Sequence, residues 1–205
     1  MSKLETITID TPSGSSALQI GDGNTATIGL GKSGDTINIP AGATIANAGT
    51  ATGFGGDNTP FFMAYRSGNQ TGVSADTWTD IIHNGEDADL SSAYDTSNGR
   101  FTPQTAGYYQ INLTAMGRDF GGSSSNNIAQ IMYGIFKNNE TDPRSTNFIQ
   151  LGSSNVRRFV PTVSTVIQLN GSSDYVVSKI YIAGSSGSIH GERQYTNFSG
   201  FKLVT

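Results

Sequence analysis

Hydrophobic positions are spread unevenly along the chain and divide it into two parts. Residues 1–56 hold scattered Leu, Ile and Ala and a single aromatic residue, Phe54, whereas the remaining 18 Phe, Tyr and Trp residues all follow it. A segment so poor in large apolar side chains cannot build a core of its own. The pattern therefore predicts an extended N-terminal segment over residues 1–56 and a globular head over residues 57–205.

The N-terminal segment carries a short internal repeat. Ile20, Ile28, Ile37 and Ile45 recur at intervals of eight, nine and eight residues, and the last three each follow a Thr. Thr-Ile pairs favour strands, and the Gly-rich stretches between them favour turns. We expect short strands whose apolar row lacks an opposing face in one chain, so that several copies would wrap around a common axis. The alternative is a disordered or partner-bound tail.

The head reads as a series of β-strands separated by Gly, Ser and Asn loops, without a helical period. Residues 109–115 alternate strictly, with Tyr109, Ile111, Leu113 and Ala115 on one face, which is typical of a half-buried strand. The pattern predicts an all-β, antiparallel sandwich. Its eight expected strands are Phe61–Arg66, Arg100–Pro103, Tyr108–Met116, Ile128–Lys137, Asn147–Leu151, Phe159–Leu169, Tyr175–Ile182 and Phe198–Val204.

Composition narrows the possible partners. Net charge is −4, and the largest basic cluster is Arg157-Arg158, so we expect no nucleic-acid partner. No long apolar run occurs, so we expect neither a secretion signal nor membrane insertion. The absence of Cys excludes disulfides and thiolate metal sites. Stability must come from burial or from assembly, and no cofactor is expected.

Residues 60–205 resemble the jelly-roll head shared by complement C1q and tumour necrosis factor (TNF)-like proteins. Five pieces in the same order carry the resemblance: Phe62–Arg66, Tyr94-Asp95 with Gly99–Pro103, Gly107–Ile111, Leu169–Val176 and Phe198–Leu203. Two departures are a lengthened Gly171–Asp174 loop and the lack of a collagen Gly-X-Y stalk before the head. The resemblance implies a homotrimer, in agreement with the separate argument that the N-terminal segment needs partner chains.

The segment from Ile20 to Gly55 resembles stalks of bacteriophage virion proteins, in particular tail-fibre-like proteins. This second resemblance implies a structural virion protein, located in the virion and assembled in the host cytoplasm. Residues 1–56 would attach to other virion proteins, and the head would contact the host. Residues assigned to trimer contacts or to the core are Ile20, Ile28, Ile37, Ile45, Tyr109, Ile111 and Phe201.

The sequence contains only weak matches to motifs for nucleotide binding, catalysis or metal binding. Gly29–Gly34 fits G-x-G-x-x-G, but Pro40 and Gly42 exclude the helix that phosphate binding needs. His83 and His190 are the only histidines, and we expect both to be solvated. Glu86, Asp87 and Asp89 form the densest carboxylate group, which we interpret as a solvated acidic loop, with a Ca²⁺ site as the alternative. We therefore expect no enzyme.

Three connections of the expected topology should fall together at the end of the head away from the stalk. They are residues 116–127, 152–158 and 183–197, and they hold Arg, aromatic and acidic side chains that are scarce elsewhere in the chain. Arg and Tyr are common binding anchors, and three copies would add avidity. The expected receptor-facing residues, for a host polysaccharide or protein, are Arg118, Asp119, Phe120, Arg157, His190, Arg193 and Tyr195.

Two other functions remain open at this point. The same sequence features are compatible with a capsid decoration protein that has no receptor role. A glycan-degrading spike would need paired acids along a groove, for which the head has few carboxylates, so it is the less favoured alternative.

Overall fold

The computed structural model describes residues 33–46, 58–118, 130–150 and 158–203. The chain divides into two units, Met1–Thr52 and Gly53–Thr205, which we call the N-terminal and C-terminal units. Ile20, Ile28, Asp119, Phe120 and Arg157 lie outside the described residues.

Residues 33–46 of the N-terminal unit contain turns but no strand. Gly34 and Gly42 have φ of 92° and 85°, and the amide of Ala43 donates to the Pro40 carbonyl at 3.0 Å. The turns were predicted, but the strands expected at Ile37 and Ile45 are absent from these residues. Among the described residues, no neighbouring segment of backbone pairs with these short segments, which need such pairing to form strands. Both Ile side chains are exposed, at 59% and 55%.

The C-terminal unit is an antiparallel sandwich of short and long strands. In its described residues the strands are β1 Phe61–Tyr65, β2 Gln70–Val73, β3 Thr79–Asp80, β4 Gly85–Asp89, β5 Tyr94–Asp95, β6 Arg100–Phe101, β7 Gly107–Thr114, β8 Gly117–Arg118, β9 Gln130–Lys137, β10 Ser145–Gln150, β11 Arg158–Phe159, β12 Thr162–Leu169, β13 Val176–Ala183, β14 Gly187–Ile189 and β15 Asn197–Lys202.

These strands form three sheets. A five-stranded sheet has the order β12-β7-β15-β1-β4, and a second sheet has the order β10-β9-β13-β6-β5, with β3 also paired to β13. The third sheet is small and has the order β11-β8-β14-β2. The all-β, antiparallel architecture predicted from the sequence is confirmed.

The core lies between the two large sheets and is filled by alternate residues of each strand. On β7, Tyr109, Ile111 and Leu113 are fully buried, which confirms the predicted alternation. Phe62 stacks on Phe101 with ring centroids 4.4 Å apart, so β1 and β6 are joined across the layers. The core therefore belongs to a single chain.

The eight expected strands all have counterparts, with one correction and several omissions. Phe159–Leu169 was predicted as one strand, but it divides into β11 and β12, which belong to different sheets. The division falls at Val160-Pro161, where Pro161 has no amide hydrogen for a ladder. The strands β2 to β5, β8 and β14 were not predicted, since they are two to five residues long and rich in Gly and polar residues.

The polypeptide enters the described part of the C-terminal unit at one end of the five-stranded sheet. The amide of Lys202 donates to the Pro60 carbonyl at 3.3 Å, and Phe61 pairs with Phe201. At the other end of the same strands, Tyr65 pairs with Asn197. Functional groups near Asn197 thus lie a full strand length from Asn58.

Candidate functional site

The described parts of the three predicted connections come together in the small sheet, at the end of the sandwich opposite Asn58, whereas residues 119–127 and 152–157 lie outside the described residues. Asn197 and Thr162 both pair with Thr114, while Gln130 pairs with both Ala183 and Gln150. The ends of β7, β10 and β13, from which the connections leave, are thereby brought to one end. The connections are not all loop, however: parts of them form β8, β11 and β14 of the small sheet.

One face of the small sheet carries a row of three polar residues. Arg118 of β8 pairs directly with Arg158 of β11 on one side and with Ser188 of β14 on the other. Directly opposed residues of an antiparallel pair project from the same face. The neighbouring pair, Gly117 and Ile189, faces the core, where Ile189 is fully buried. We call Arg158, Arg118 and Ser188 the arginine row; Arg158 is exposed and Arg118 is partly exposed, whereas Ser188 is buried.

His190 follows β14, close to the arginine row, and is fixed by hydrogen bonds. Its amide donates to the Met116 carbonyl at 2.8 Å, and Arg118 Nη1 lies 2.8 Å from His190 Nδ1. Because a guanidinium can only donate, Nδ1 must be the acceptor. The other ring nitrogen, Nε2, lies 3.4 Å from a carboxylate oxygen of Glu192. The ring is thus held between one cation and one anion.

Two further side chains complete the surroundings of His190. The ring of Tyr195 lies 5.5 Å from the His190 ring, and Tyr195 is 37% exposed. The Thr196 hydroxyl donates to the His190 carbonyl at 2.6 Å and accepts from the Met116 amide at 3.2 Å. The buried Thr196 therefore ties the connection before β15 to the end of β7.

Of the predicted receptor-facing residues, Arg118, His190 and Tyr195 come together, whereas Arg193 points elsewhere. Its guanidinium lies 2.8 Å from the Asp87 carboxylate and stacks 4.2 Å from the Tyr65 ring centroid. Arg193 thus packs at the edge of the five-stranded sheet, where it links β4 to β1. Arg158 and Ser188 also lie in the predicted distal connections, but they were not among the predicted receptor-facing residues; strand pairing places them opposite Arg118.

The acidic group of residues 86–89 is not the loop that was predicted. It forms β4, and its three carboxylates make different interactions. Asp89 accepts from the amides of Ala93 at 3.0 Å and Tyr94 at 2.9 Å, which closes the turn between β4 and β5. Burial, followed by the nearby Asp89 and Asp95 carboxylates, raises the pKa of Glu86. Among the described residues, no three His, Asp or Glu side chains are grouped to hold a metal ion.

His83 was predicted to be solvated, and this is wrong. The ring is fully buried and stacks on Phe198 with centroids 5.5 Å apart. Neither ring nitrogen has a hydrogen-bond partner among the described residues. Burial and then the charge of Arg66 lower the pKa of His83 to about 3, although the Ile81 backbone slightly favours the protonated ring. The ring is therefore neutral, and it has no access to a substrate.

The residues predicted for trimer contacts or core separate into two groups. Tyr109 and Ile111 are fully buried within one chain, so they are core residues. Phe201 is 36% exposed on the outer face of the five-stranded sheet, in register with Phe61 on one side and Gln110 on the other. That face also bears a hollow of about 340 Å³ between Phe61, Met63 and Phe201.

Comparisons with known proteins bear on the fold. No family model matches the sequence, and no curated protein matches it. The crystal structure of murine APRIL at pH 5.0, a TNF-family protein, is similar over 70% of this chain and 99% of its own, with a TM-score of 0.50 and 10% identity. The globular domain of zebrafish complement 1qA protein covers 70% of this chain and 96% of its own, with a TM-score of 0.49 and 15% identity.

The similarity to murine APRIL agrees with the sheet order and with the resemblance read from the sequence. In the part of the chain that the structure describes, no helix is long and apolar enough to cross a bilayer. The C-terminal unit therefore has a jelly-roll fold similar to that of murine APRIL.

Proposed function

We propose that this chain is a non-enzymatic structural protein of a bacteriophage virion, a homotrimeric fibre or spike whose head contacts the host surface. The observation that carries the proposal is that both units expose apolar side chains that one chain does not cover. They are Ile37, Ile39 and Ile45 in the N-terminal unit, and Met63, Tyr108, Val166 and Phe201 on the five-stranded sheet.

On the five-stranded sheet, the exposed apolar side chains occupy the half nearest Asn58. Phe61, Phe201, Gln110 and Val166 form one row across four strands. Beyond it, the face is neutral and polar: Gln110 Nε2 donates to the Ser164 hydroxyl at 2.7 Å, and that hydroxyl donates to Asn112 at 2.9 Å. A face without charges on these strands suits contact with further copies of the same chain.

The TNF-like and C1q-like resemblance supports three copies as the assembly. Covering the apolar row in a closed assembly would remove it from water, and it would leave the small sheet free at the opposite end of the sandwich. Weak contacts made there would be multiplied by the three copies. This arrangement supports a surface-binding role for the end that carries Arg118, His190 and Tyr195.

Binding, rather than catalysis, is supported by what the acidic side chains already do. Asp87 is paired with Arg193, and Asp89 closes a backbone turn. Neither is available as one of the two carboxylic acids that a glycosidase places across its substrate.

The absolute mass in solution tests the assembly. Light scattering should give three copies for the full chain, and also for a truncated chain beginning at Asn58 if the C-terminal unit drives assembly. A single-copy mass for the full chain would refute the fibre. Antibodies against the purified chain, imaged with gold on phage particles, test the virion assignment. Label on projecting fibres supports it, label spread over the shell favours a decoration protein, and unlabelled particles refute it.

A further inference from the structure

We propose that the head binds a neutral polysaccharide on the outer face of its second large sheet, whose order is β10-β9-β13-β6-β5. The site is an apolar strip that consists of Phe148, Met132, Tyr181 and Trp78. This inference goes beyond the contact proposed for the end of the head, because it adds a binding surface on the side of the head. It rests on the proposed function for its biological setting, in which the head meets a host surface.

The strand register places three of these side chains in one row. Phe148 of β10 pairs with Met132 of β9, which pairs on its other side with Tyr181 of β13. Directly opposed residues project from the same face. Ile131 and Tyr133, the neighbours of Met132 along β9, are fully buried in the core. Since successive residues of a strand point to opposite faces, the row lies on the outer face.

Trp78 extends the row beyond β13. It comes directly before β3, which pairs with β13, and its ring centroid lies 5.7 Å from that of Tyr181 and 4.9 Å from that of Phe136. A Cβ added at Gly134 would lie 2.8 Å from the Phe136 ring and 3.4 Å from the Trp78 ring, so glycine leaves the space that these rings occupy. The Trp78 ring is held in place before a ligand arrives, which lowers the entropic cost of binding.

The exposed area of the strip is small. Phe148 is 54% exposed, and the other three side chains are partly buried. Since a large aromatic side chain has about 150–250 Å² of surface, the four side chains together present at most about 400 Å². Each partner in a stable protein complex contributes about 800 Å². The strip therefore suits successive sugar rings better than a second protein chain.

The spacing and the chemistry of the row fit an extended glycan. Phe148 and Tyr181 are two strands apart, roughly 10 Å, so each can lie against a different sugar ring of one glycan chain. An aromatic ring covers the apolar C–H face of a sugar, whose hydroxyl groups stay at the edge. The next row on the same face pairs Gln150 with Gln130, and Gln150 is exposed. Side-chain amides both donate and accept hydrogen bonds, as sugar hydroxyls require.

The cations that flank the strip among the described residues are paired with carboxylates. Lys179 lies two residues before Tyr181 on the same face of β13, and its Nζ is 3.2 Å from a carboxylate oxygen of Asp80. Arg144, just before β10, pairs with Glu140. An acidic polysaccharide would have to compete with these carboxylates for a cation, so the strip offers it little attraction.

Asp76 adds a negative charge beside the strip, where it is exposed. Its carboxylate accepts a hydrogen bond from the Gly184 amide at 3.1 Å and another from the Tyr181 hydroxyl at 3.4 Å. Because both donors are neutral, the carboxylate keeps its charge, which repels an acidic polymer. Its remaining acceptor positions suit sugar hydroxyls. The charges around the strip therefore favour a neutral polysaccharide over an acidic one.

Trp78 is the only tryptophan of the chain, so tryptophan fluorescence reports on the strip alone. The test titrates the full chain with three neutral hexasaccharides, cellohexaose, maltohexaose and N-acetylchitohexaose, and with the acidic hexagalacturonate. We expect a saturable change in emission with at least one neutral sugar, little affected by salt because no ion pair forms, and weaker binding of hexagalacturonate. Unchanged emission with all three neutral sugars, or tighter binding of hexagalacturonate, would overturn the proposal.

Two variants localise the binding. Phe148→Ala removes the most exposed ring, and we expect about tenfold weaker binding, as for the loss of one stacking contact. Leu90→Ala is the matched control, because Leu90 is 65% exposed and follows β4 of the other large sheet. Both variants should keep the wild-type melting temperature and mass in solution. Equal weakening by Leu90→Ala would show non-specific apolar binding, and loss of assembly by Phe148→Ala would show that another copy covers the strip. Either result rejects the site.

Failure here is distinguishable from failure of the proposed function. Gold label on phage fibres, together with unchanged Trp78 emission, would keep the virion protein and reject the strip as a glycan site. Phe148-dependent sugar binding by a chain that is absent from phage particles would keep the strip and reject the virion role.

Discussion

At the scale of single residues, the fold depends on close backbone crossings that only glycine allows. Gly191 follows His190 in the connection between β14 and β15, and its amide donates to the Asn69 side chain at 3.0 Å. A Cβ added at Gly191 would overlap the carbonyl oxygen of Gly68, which is backbone and cannot rotate away. Position 191 therefore requires glycine because there is no room for a Cβ beside Gly68, and not because of an unusual φ.

We predict that Gly191→Ala destabilises the C-terminal unit by about 3 kcal/mol, as overpacking at a rigid position does. Urea unfolding measures the change. Ser185→Ala, in the exposed turn before β14, is the control and should change stability by less than about 0.5 kcal/mol. Equal stability of the two variants would show that the crossing at Gly68 relaxes.

His83 gives the fold a pH dependence whose sign follows from its burial. The pKa of His83 is about 3 in the folded chain, against an ordinary value of 6.5. The unfolded chain therefore binds the extra proton between these values, so stability is complete above pH 6.5 and is lost as the pH falls towards 3. Linkage gives a loss of roughly 2 kcal/mol at pH 5 from this one group.

We expect His83→Phe, which keeps an aromatic ring beside Phe198, to remove most of this loss between pH 7 and pH 5. Urea unfolding of both proteins at the two pH values measures it. Asp95 and Asp174 also have lowered pKa values, because hydrogen bonds from Ser97 and Lys137 respectively stabilise their charged forms. The ordinary pKa of an Asp is 3.8, so protonation of these two carboxylates changes stability at pH values below the range of pH 5 to 7. A variant with the wild-type pH dependence would contradict the assignment to His83.

At the scale of elements, the turn after β4 depends on one carboxylate. Asp89 accepts from the amides of Ser91, Ala93 and Tyr94, and thereby leads the chain from the five-stranded sheet into β5. Without it, amides that are partly buried would lose their acceptor.

Asp89→Ala should therefore cost about 2 kcal/mol of folding free energy, whereas Glu86→Ala should leave stability unchanged or slightly improved, since Glu86 lies near two other carboxylates. Thermal melts with Ca²⁺ and with a chelator complete the experiment. Equal melting temperatures are expected in the two solutions. A rise with Ca²⁺ that requires Asp89 would restore the metal alternative.

The sequence was informative where a strand is long and half-buried, and uninformative where pairing decides the structure. The alternation of β7 is visible in the sequence because its inner residues Tyr109, Ile111 and Leu113 are all large and apolar. By contrast, β8 is the dipeptide Gly117-Arg118, whose extended form depends on β11 and β14 on either side. Strand preference is set by such surroundings more than by the residue itself.

The same limit explains the candidate site. Arg118, His190 and Tyr195 could be chosen from their residue types and from the order of the expected strands. Arg158 and Ser188 lie in the same predicted connections, but only the strand register shows that they are opposite Arg118. The burial of His83 was likewise missed: the apolar Ile81 and Ile82 precede it, but polar residues follow it, and its ring packs on Phe198, which is distant in sequence.

At the scale of the whole molecule, the proposed assembly rests on the outer face of the five-stranded sheet. Val166 of β12 is 50% exposed and Met63 of β1 is 49% exposed. In a closed trimer, each buried copy of an introduced carboxylate would lose its hydration. The nearest cations are already paired with carboxylates: Lys137 and Arg144 beside Val166, and Arg193 beside Met63. The three copies would also repel one another.

We predict that Val166→Asp, and separately Met63→Asp, reduces the mass measured by light scattering from three chains to one chain of 21.5 kDa, with the circular dichroism of a β protein retained. Phe148→Asp is the matched control, because Phe148 is 54% exposed on β10 of the other large sheet. It should leave the trimer intact. Dissociation by Phe148→Asp alone would place the contact on the opposite sheet. Trimers in all three variants would indicate that the exposed isoleucines of the N-terminal unit drive assembly. The C-terminal unit would then make no contact that the trimer needs.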